Sequence, residues 1–368
     1  MNIENVVKNF KFKGEFVNGY RYGSGHINQT YVAIFKQSAF NYRRYLLQKI
    51  NHQVFKNVEG LMSNIKQVTE FQRQSILNQG GNPDLESLTL VDTLDDKYFY
   101  KHVDGTYWRA YYFIEAGIGF DFTENPKHFF ESGIAFGRFQ NDLAQFDTAL
   151  LTETIPNFHH TGKRFEAFLE ALDKNLSSRK ALAKKEIDFY LERKNYTEVI
   201  TSLLDTNQMP YRVTHNDTKL NNVLISPITH KAICVIDLDT IMKGSIVYDF
   251  GDSIRFGANT SSEDEKDLNK VNFSLELFET YAKAFIGEVK GSLQPIEIEH
   301  MAFGAILMTY ECGMRFLTDY LNGDTYFRTK YDDHNLVRAR TQMKLVSDME
   351  SVFDQMKAIV HKVVQTNI

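Results

Sequence analysis

A short strand hairpin set inside a helical half is the feature that most constrains this chain. Two apolar runs, "VLIS" and "AICVIDLD", flank the turn-like "PITHK" and read as antiparallel strands joined by a loop of three to five residues. The rest of the chain from Asn125 onward follows helical spacing, in "HFFESGIAFGRFQNDLAQF", "VNFSLELFETYAKAFIGEV", "EIEHMAFGAILMTYECGMRFLTDYL" and "LVRARTQMKLVSDMESVFDQMKAIV". The first part differs. It has a glycine-rich turn from Gly19 to Gly25, the strand-like "TYVAIF" and "RRYLLQKI", a helix-like run from Glu59 to Asn78, then "KYFYKHV" and "TYWRAYYFIEAG". The change of character falls near Ile114 to Gly117. The expectation is an α+β chain in two lobes: residues 1–115, a small mixed sheet with one main helix, and residues 116–368, mainly helical and carrying the hairpin. At 368 residues the chain exceeds the usual limit of one core, and without a Pro/Gly-rich linker the lobes should be tightly coupled.

Directly before the hairpin stands "HNDTKLNN", His215 to Asn222. If the turn centres on Thr229 and His230, partner numbers sum to 459 and Asn222 lies opposite Asp237, with Cα atoms about 4.5 to 5.5 Å apart. The strand period puts Asp239 on the face of Asp237, and Asp217 lies in the loop just before. Three carboxylates and an amide then converge at one open end. Unit charges about 4 Å apart interact by roughly 4 kcal/mol at an effective dielectric near 20, so such a cluster calls for a cation. Oxygen ligands from Asp and Asn suit Mg²⁺, and Asp217 is left free to accept a proton from an attacking hydroxyl. The spacing His215-x-Asp217-x-x-x-x-Asn222 matches the kinase catalytic loop H-x-D-x-x-x-x-N, with Asp237 at the metal position one hairpin later. "DFGD" also spells a kinase metal triplet, but Asp249 lies beyond the break at Gly244, so it reads as a brace for the catalytic loop.

In "NGYRYGSGHINQTYVAI" the glycines at 19, 23 and 25 would let backbone amides approach phosphate oxygens, which makes Gly23, Ser24 and Gly25 the candidate phosphate lid. The loop lacks the G-K-[ST] ending of a P-loop and leads into a strand, unlike a Rossmann fingerprint. On the next strand Lys49, sharing a face with Leu47, is the candidate for the α- and β-phosphates, with Glu70 of the helix to hold it. Glu115, at the end of the last strand-like run of this half, is placed with the nucleotide site.

Bulk properties narrow the partners. With 42 Lys and Arg against 47 Asp and Glu, the net charge of −5 offers no basic stripe for nucleic acid and no dedicated anionic-membrane surface. No run of about 18 apolar residues occurs, and "MNIENVVKNFKFKG" lacks the apolar core of a signal peptide. Cys234 and Cys312 both sit in apolar patterns and read as buried thiols, which favours a cytoplasmic protein. No protein partner is implied, and a monomer is expected.

The runs "VTHNDTKLNNVLI", "CVIDLDTIMKGSIVYDFGDSIRFGANT", "YECGMRFLTDYLNGDTYF" and "YDDHNLVRARTQMKLV", with "GSGHINQTY", resemble the N-acetylhexosamine 1-kinases. These form a branch of the aminoglycoside phosphotransferase and choline kinase group, with a bilobal protein-kinase-like fold. The resemblance implies an enzyme that uses ATP and Mg²⁺ to phosphorylate the C1 hydroxyl of free N-acetylglucosamine or N-acetylgalactosamine. It implies Asp217 as the base, Asn222 and Asp237 as Mg²⁺ ligands, and Asp237 or Asp239 near substrate and metal. His215, Arg255, Phe256, Arg315 and Tyr326 fall at sugar-site positions. In "LLQKI" either Gln48 or Lys49 is the inward residue. A kinase of an aminoglycoside, of choline or of another small alcohol is the rival reading, and a catalytically inactive nucleotide-binding regulator is the second.

Overall fold

The computed structural model describes residues 3–23, 27–120 and 125–366. The first half comprises α1 (Glu4–Val7), β1 (Glu15–Arg21), β2 (Gln29–Ser38), β3 (Asn41–Ile50), α2 (Val58–Asn78), α3 (Pro83–Glu86), β4 (Tyr100–Lys101) and β5 (Tyr107–Tyr112). The second comprises α4 (Pro126–Asp142), α5 (Thr161–Lys174), α6 (Lys184–Glu192), α7 (Val199–Asp205), β6 (Arg212–Thr214), β7 (Val223–Ile225), β8 (Ala232–Val235), β9 (Met242–Gly244), α8 (Ile246–Gly257), α9 (Leu275–Val289), α10 (Pro295–Leu321), α11 (His334–Ser351) and α12 (Phe353–Gln365). Strands β1 to β5 form one antiparallel sheet in the order β1-β2-β3-β5-β4.

Alternation in β2, β3 and β5 gives this sheet two apolar faces. Ala33, Phe35, Tyr45, Leu47, Trp108 and Ala110 pack outward under Val6, Val7 and Phe10, forming a small separate core. The opposite face turns toward the helices, and Ile50 and Tyr111 join a core that continues through α2 into α4 and α8 to α12. Helix α2 starts where Asn57 accepts the Gly60 N–H (2.9 Å) and buries the stripe Leu61, Met62, Ile65 and Val68. Asn64 on that stripe donates to the Ile241 carbonyl (3.0 Å) and the Thr152 carbonyl (2.8 Å), so the main helix of the first half grips the second.

The segment after β5 docks on the hairpin. Ile118 and Ile225 exchange backbone hydrogen bonds at 3.0 and 2.9 Å, and a Cβ on Gly117 would lie 2.7 Å from the Leu224 Cβ. Below the hairpin, α8 and α10 touch backbone to backbone. A Cβ on Gly251 would lie 2.2 Å from the Gly304 carbonyl oxygen. The glycine of "DFGD" therefore serves helix packing inside α8. Among the described residues no helix is long and apolar enough to cross a membrane, and both cysteines are free.

Candidate active site

The segment from His215 to Asn222 is fixed from below by α8. Asp249, fully buried, accepts the N–H groups of His215 (2.8 Å) and Asn216 (2.8 Å) and Nε2 of Gln140 (2.7 Å). Asn216 adopts φ 64°, a left-handed conformation that asparagine tolerates, and two successive N–H groups meet one carboxylate. Burial pushes the Asp249 carboxyl above its usual range, while the charge of His215 and these donors pull it back. Asp252 accepts the Thr218 N–H (3.0 Å), and Thr218 donates its hydroxyl to the Asp249 carbonyl (2.6 Å). Asp249 thus acts as a brace. His215 is a second one: Nε2 bonds the Ile236 carbonyl (2.9 Å), and the ring packs edge-on against Phe136 and Phe139. Its placement at the sugar is corrected, because the imidazole is buried in the core and ties the loop to the chain entering Asp237.

Asp217 and Asn222 do meet. Asn222 Nδ2 donates to the Asp217 carbonyl (2.8 Å) and to Oδ2 (3.1 Å), and Lys219 Nζ lies 2.6 Å from Asp217 Oδ1. Burial would raise the Asp217 carboxyl, but Lys219, His215 and Asn222 outweigh it and hold it below its usual range. The same pairing raises Lys219 against its burial. Sequence reasoning missed Lys219, although its place two residues after Asp217 was the available signal.

The hairpin register differs from expectation by one. Val223 pairs with Val235 and Leu224 with Cys234, and the Ile236 N–H donates to the Asn222 carbonyl (2.9 Å), so Ile236 and not Asp237 stands opposite Asn222. A bulge between Leu224 and Ile225 and a longer connection, closed by Ser226 and Lys231, take up the difference. Asp237 turns left-handed (φ 61°) and opens the 3₁₀ turn Leu238–Thr240, which ends the strand period. Asp239 therefore leaves the face of Asp237. It is buried and directed at the five-stranded sheet, with Arg109 on Oδ1 and Asn28 on Oδ2. Its assignment to the substrate is corrected, since both oxygens are engaged by protein.

Asp237 is exposed and takes no hydrogen bond from any described residue. Desolvation by the surrounding groups and the carboxylates of Asp239 and Asp217 push it above its usual range, against Arg109 and His215. That is the electrostatic environment a cation relieves. Among the described residues no three His, Cys, Asp or Glu side chains are grouped to hold a metal. What the site offers is the Asp237 carboxylate and the Asn222 amide oxygen, which fits Mg²⁺ completed by phosphate oxygens and water.

Over this floor lies the inner face of the sheet, and there Gln48 is the inward residue. Gln48 Nε2 donates to Thr30 Oγ1 (3.0 Å) and Oε1 accepts Arg109 Nε (2.9 Å). Lys49 shares the face of Tyr45 and Leu47, which is the outer core, so its assignment to the phosphates is corrected. Glu70 pairs with Lys66 (2.9 Å) instead of Lys49. The Glu115 carboxylate is held by Arg44, with both oxygens 3.0 Å from Nε, at the exposed edge of the connecting segment. Gly23 takes φ 73° in open space, while Ser24 and Gly25 lie outside the described residues.

Comparison with known proteins shows the family of the chain. The family model described as "Phosphotransferase enzyme family" matches residues 21–282. The chain belongs to this phosphotransferase family. Among solved structures it is similar to an aminoglycoside phosphotransferase from Alicyclobacillus acidocaldarius (TM-score 0.59, 13% identity, 97% of each chain). It is also similar to the amicoumacin kinase hAmiN in complex with AMP-PNP, Ca²⁺ and Ami (TM-score 0.56, 13% identity, 93% of this chain and 92% of that one). A choline kinase from Cryptosporidium parvum Iowa II matches at TM-score 0.53 and 15% identity, over 95% of this chain and 93% of that one. At these identities the likeness is one of fold.

In this phosphotransferase a second group of side chains gathers beside the catalytic loop. The half-buried Arg315 guanidinium lies 5.5 Å from the Phe158 ring and 5.6 Å from the Phe327 ring, with no hydrogen bond to a described residue. Tyr326, 66% exposed, meets Phe327 edge-on. Arg164 donates twice to the Phe158 carbonyl (3.1 and 2.9 Å), and burial, then repulsion from Arg315, lowers its pKa. The next residue, His159, joins Glu311 (2.7 Å) to the Asn216 carbonyl (3.2 Å), which links this group to the catalytic loop. Phe158, Arg164 and Phe327 carried no signal in the sequence. Phe256 is half-buried at the end of α8, without a ring partner among the described residues. Arg255 is corrected as a sugar-site residue: it is buried between Asp252 (2.9 Å) and Glu263 (2.9 Å), where it steadies α8.

Proposed function

We propose that this phosphotransferase is an N-acetylhexosamine 1-kinase, moving the γ-phosphoryl group of ATP to the C1 hydroxyl of N-acetylglucosamine or N-acetylgalactosamine. Asp217 carries the reading. It is a carboxylate at the cleft, held ionised by Lys219 and anchored by Asn222 on a loop that Asp249 fixes. Such a group accepts the proton of an attacking hydroxyl as the new oxygen–phosphorus bond forms and the bond to the β-phosphate oxygen breaks. When bound, Mg²⁺ would be held by Asn222 and Asp237 and would neutralise charge on the transferring phosphate. The remaining work of the protein is positioning.

The acceptor half rests on Arg315. An N-acetyl sugar is neutral and needs donors for its hydroxyl and acetamide oxygens, with an apolar wall for its ring and methyl group. Arg315 offers five N–H donors, none bonded to a described residue, between the rings of Phe158 and Phe327. Two neighbouring guanidiniums, Arg164 and Arg315, oppose the cationic groups of choline or an aminoglycoside.

A coupled assay of ADP release with ATP, Mg²⁺ and a panel of free sugars, aminoglycosides and choline tests the reading. Turnover is expected with the two N-acetylhexosamines, and ³¹P NMR should place the phosphate on the anomeric oxygen. Turnover of choline or an aminoglycoside alone, or a phosphate on O3 or O6, overturns it.

A further inference from the structure

We propose that Arg109 of β5 is the cation that holds the α- and β-phosphates of the nucleotide, in the role a lysine on β3 would otherwise fill. The inference rests on the kinase reading above. A phosphoryl-transfer site needs a fixed positive charge over the β-phosphate, because the transferring group and its neighbours carry several negative charges. Strand β3 does not supply one here. Its inward residue is the neutral Gln48, and Lys49 lies on the opposite face of the sheet with Leu47.

Arg109 is the cross-strand partner of Gln48, one strand further across the same face. Its side chain is 1% exposed and reaches the metal loop, where Nη1 meets Asp239. Gln48 Oε1 holds Nε at 2.9 Å. A guanidinium has five N–H donors, and oxygen acceptors of the described residues engage Nε and Nη1 alone. Met62 sulfur, 4.0 Å from Nη1, is a weak acceptor. Asp239 already balances the charge, and Nη2 is left without an acceptor among the described residues, free for an entering anion.

The orientation is set from two sides. Asp239, two residues beyond Asp237, fixes one arm of the fork relative to the metal loop, and the charges of Arg109 and Asp237 act on each other. Asn28, just past the glycine turn, binds the other oxygen of Asp239 and accepts the Asn51 N–H (2.9 Å). Phosphate oxygens entering beside Asn28 and the Leu238–Thr240 turn would meet the free side of the fork. Arginine suits this place better than lysine, because its planar fork can keep Asp239 and bind phosphate together.

Calorimetric titration of adenosine and of ADP, in EDTA, into the native protein and its variants tests the assignment. Arg109→Met should weaken ADP on the order of 10- to 100-fold while adenosine binds as before. Adding Gln48→Lys to Arg109→Met should restore most of the ADP affinity, since it returns a cation to the same face. If Arg109→Met does not fold, Arg109→Lys replaces it: ADP should weaken several-fold against unchanged adenosine, as the ammonium lacks the planar fork that meets Asp239 and phosphate from separate nitrogens. Equal weakening of ADP and adenosine, or ADP affinity unchanged in either variant, overturns the assignment and leaves the kinase reading standing. A native protein that binds ADP no better than adenosine overturns both.

Discussion

Replacing Asp249 by asparagine separates a loop brace from a metal ligand. The carboxylate accepts three donors, of which two are the successive backbone N–H groups of His215 and Asn216. An asparagine presents one oxygen and one amide nitrogen, so one backbone N–H keeps an acceptor and the other faces a donor. Leaving that buried N–H unpaired costs about 1 to 3 kcal/mol, and losing the charge on the surviving bond adds about 1 kcal/mol. Relief of the burial that pushes the Asp249 carboxyl up offsets a part of this. The expected loss is about 2 to 4 kcal/mol in urea unfolding, with a lower kcat as the loop loosens and an unchanged Mg²⁺ concentration for half-maximal activity. A variant of native stability whose activity no longer depends on Mg²⁺ would refute the brace and make Asp249 the ligand in place of Asp237.

Asp217→Asn should lower kcat by about 10² to 10⁴ with ATP binding little changed; retention of more than half the activity removes Asp217 as the base. Arg315→Ala should raise KM for the sugar well above any change in KM for ATP, by roughly 1.5 to 3 kcal/mol for a hydrogen bond to a charged group. An unchanged sugar KM would move the acceptor elsewhere. Glu311 is fully buried, and burial would raise its carboxyl, yet His159, Arg315 and Thr161 hold it below its usual range. A folded value below the unfolded one gives stability above the unfolded value that is lost as pH falls through the folded one. Glu311→Gln should therefore destabilise at neutral pH by about 1.5 to 3 kcal/mol and progressively less below about pH 4. An equal loss in urea unfolding at both pH values would refute the charge argument.

Local periodicity made the elements legible. The helix read from Glu59 to Asn78 is α2 (Val58–Asn78), and the alternation of "TYVAIF" lies within β2. Motif spacing brought Asp217 and Asn222 together, as the structure has them. Register was less accessible, because it depends on a bulge and on His230 at φ 55°, neither of which leaves a mark in composition. Strand parity placed Leu47 and Lys49 on one face, and that is so. Which face meets the cleft was not in the strand, since Tyr45 and Leu47 on one side and Leu46 and Ile50 on the other are equally apolar. The distant Val6, Val7 and Phe10 decide it by covering the first of them.

The two helix arginines show the same dependence on distant partners. Arg255 has Asp252 three residues earlier on α8, and Arg315 has Glu311 four residues earlier on α10, both spacings at which a helix pairs opposite charges. By local rules both should be internally paired. Arg255 is, and Glu263 completes its fork. For Arg315 the pairing fails because Glu311 is already engaged, by His159 at 2.7 Å and by the Thr161 hydroxyl at 2.6 Å, both on residues about 150 positions away. The carboxylate still attracts Arg315 electrostatically, but its oxygens are bonded elsewhere, so the guanidinium stays open between two rings. A long-range contact that captures Glu311 thus leaves the Arg315 donors open, as the proposed acceptor role requires. If Arg315 holds the acceptor as proposed, Glu311 acts on it only through Arg315 and His159, and its loss should disturb both that group and the Asn216 turn beside Asp217.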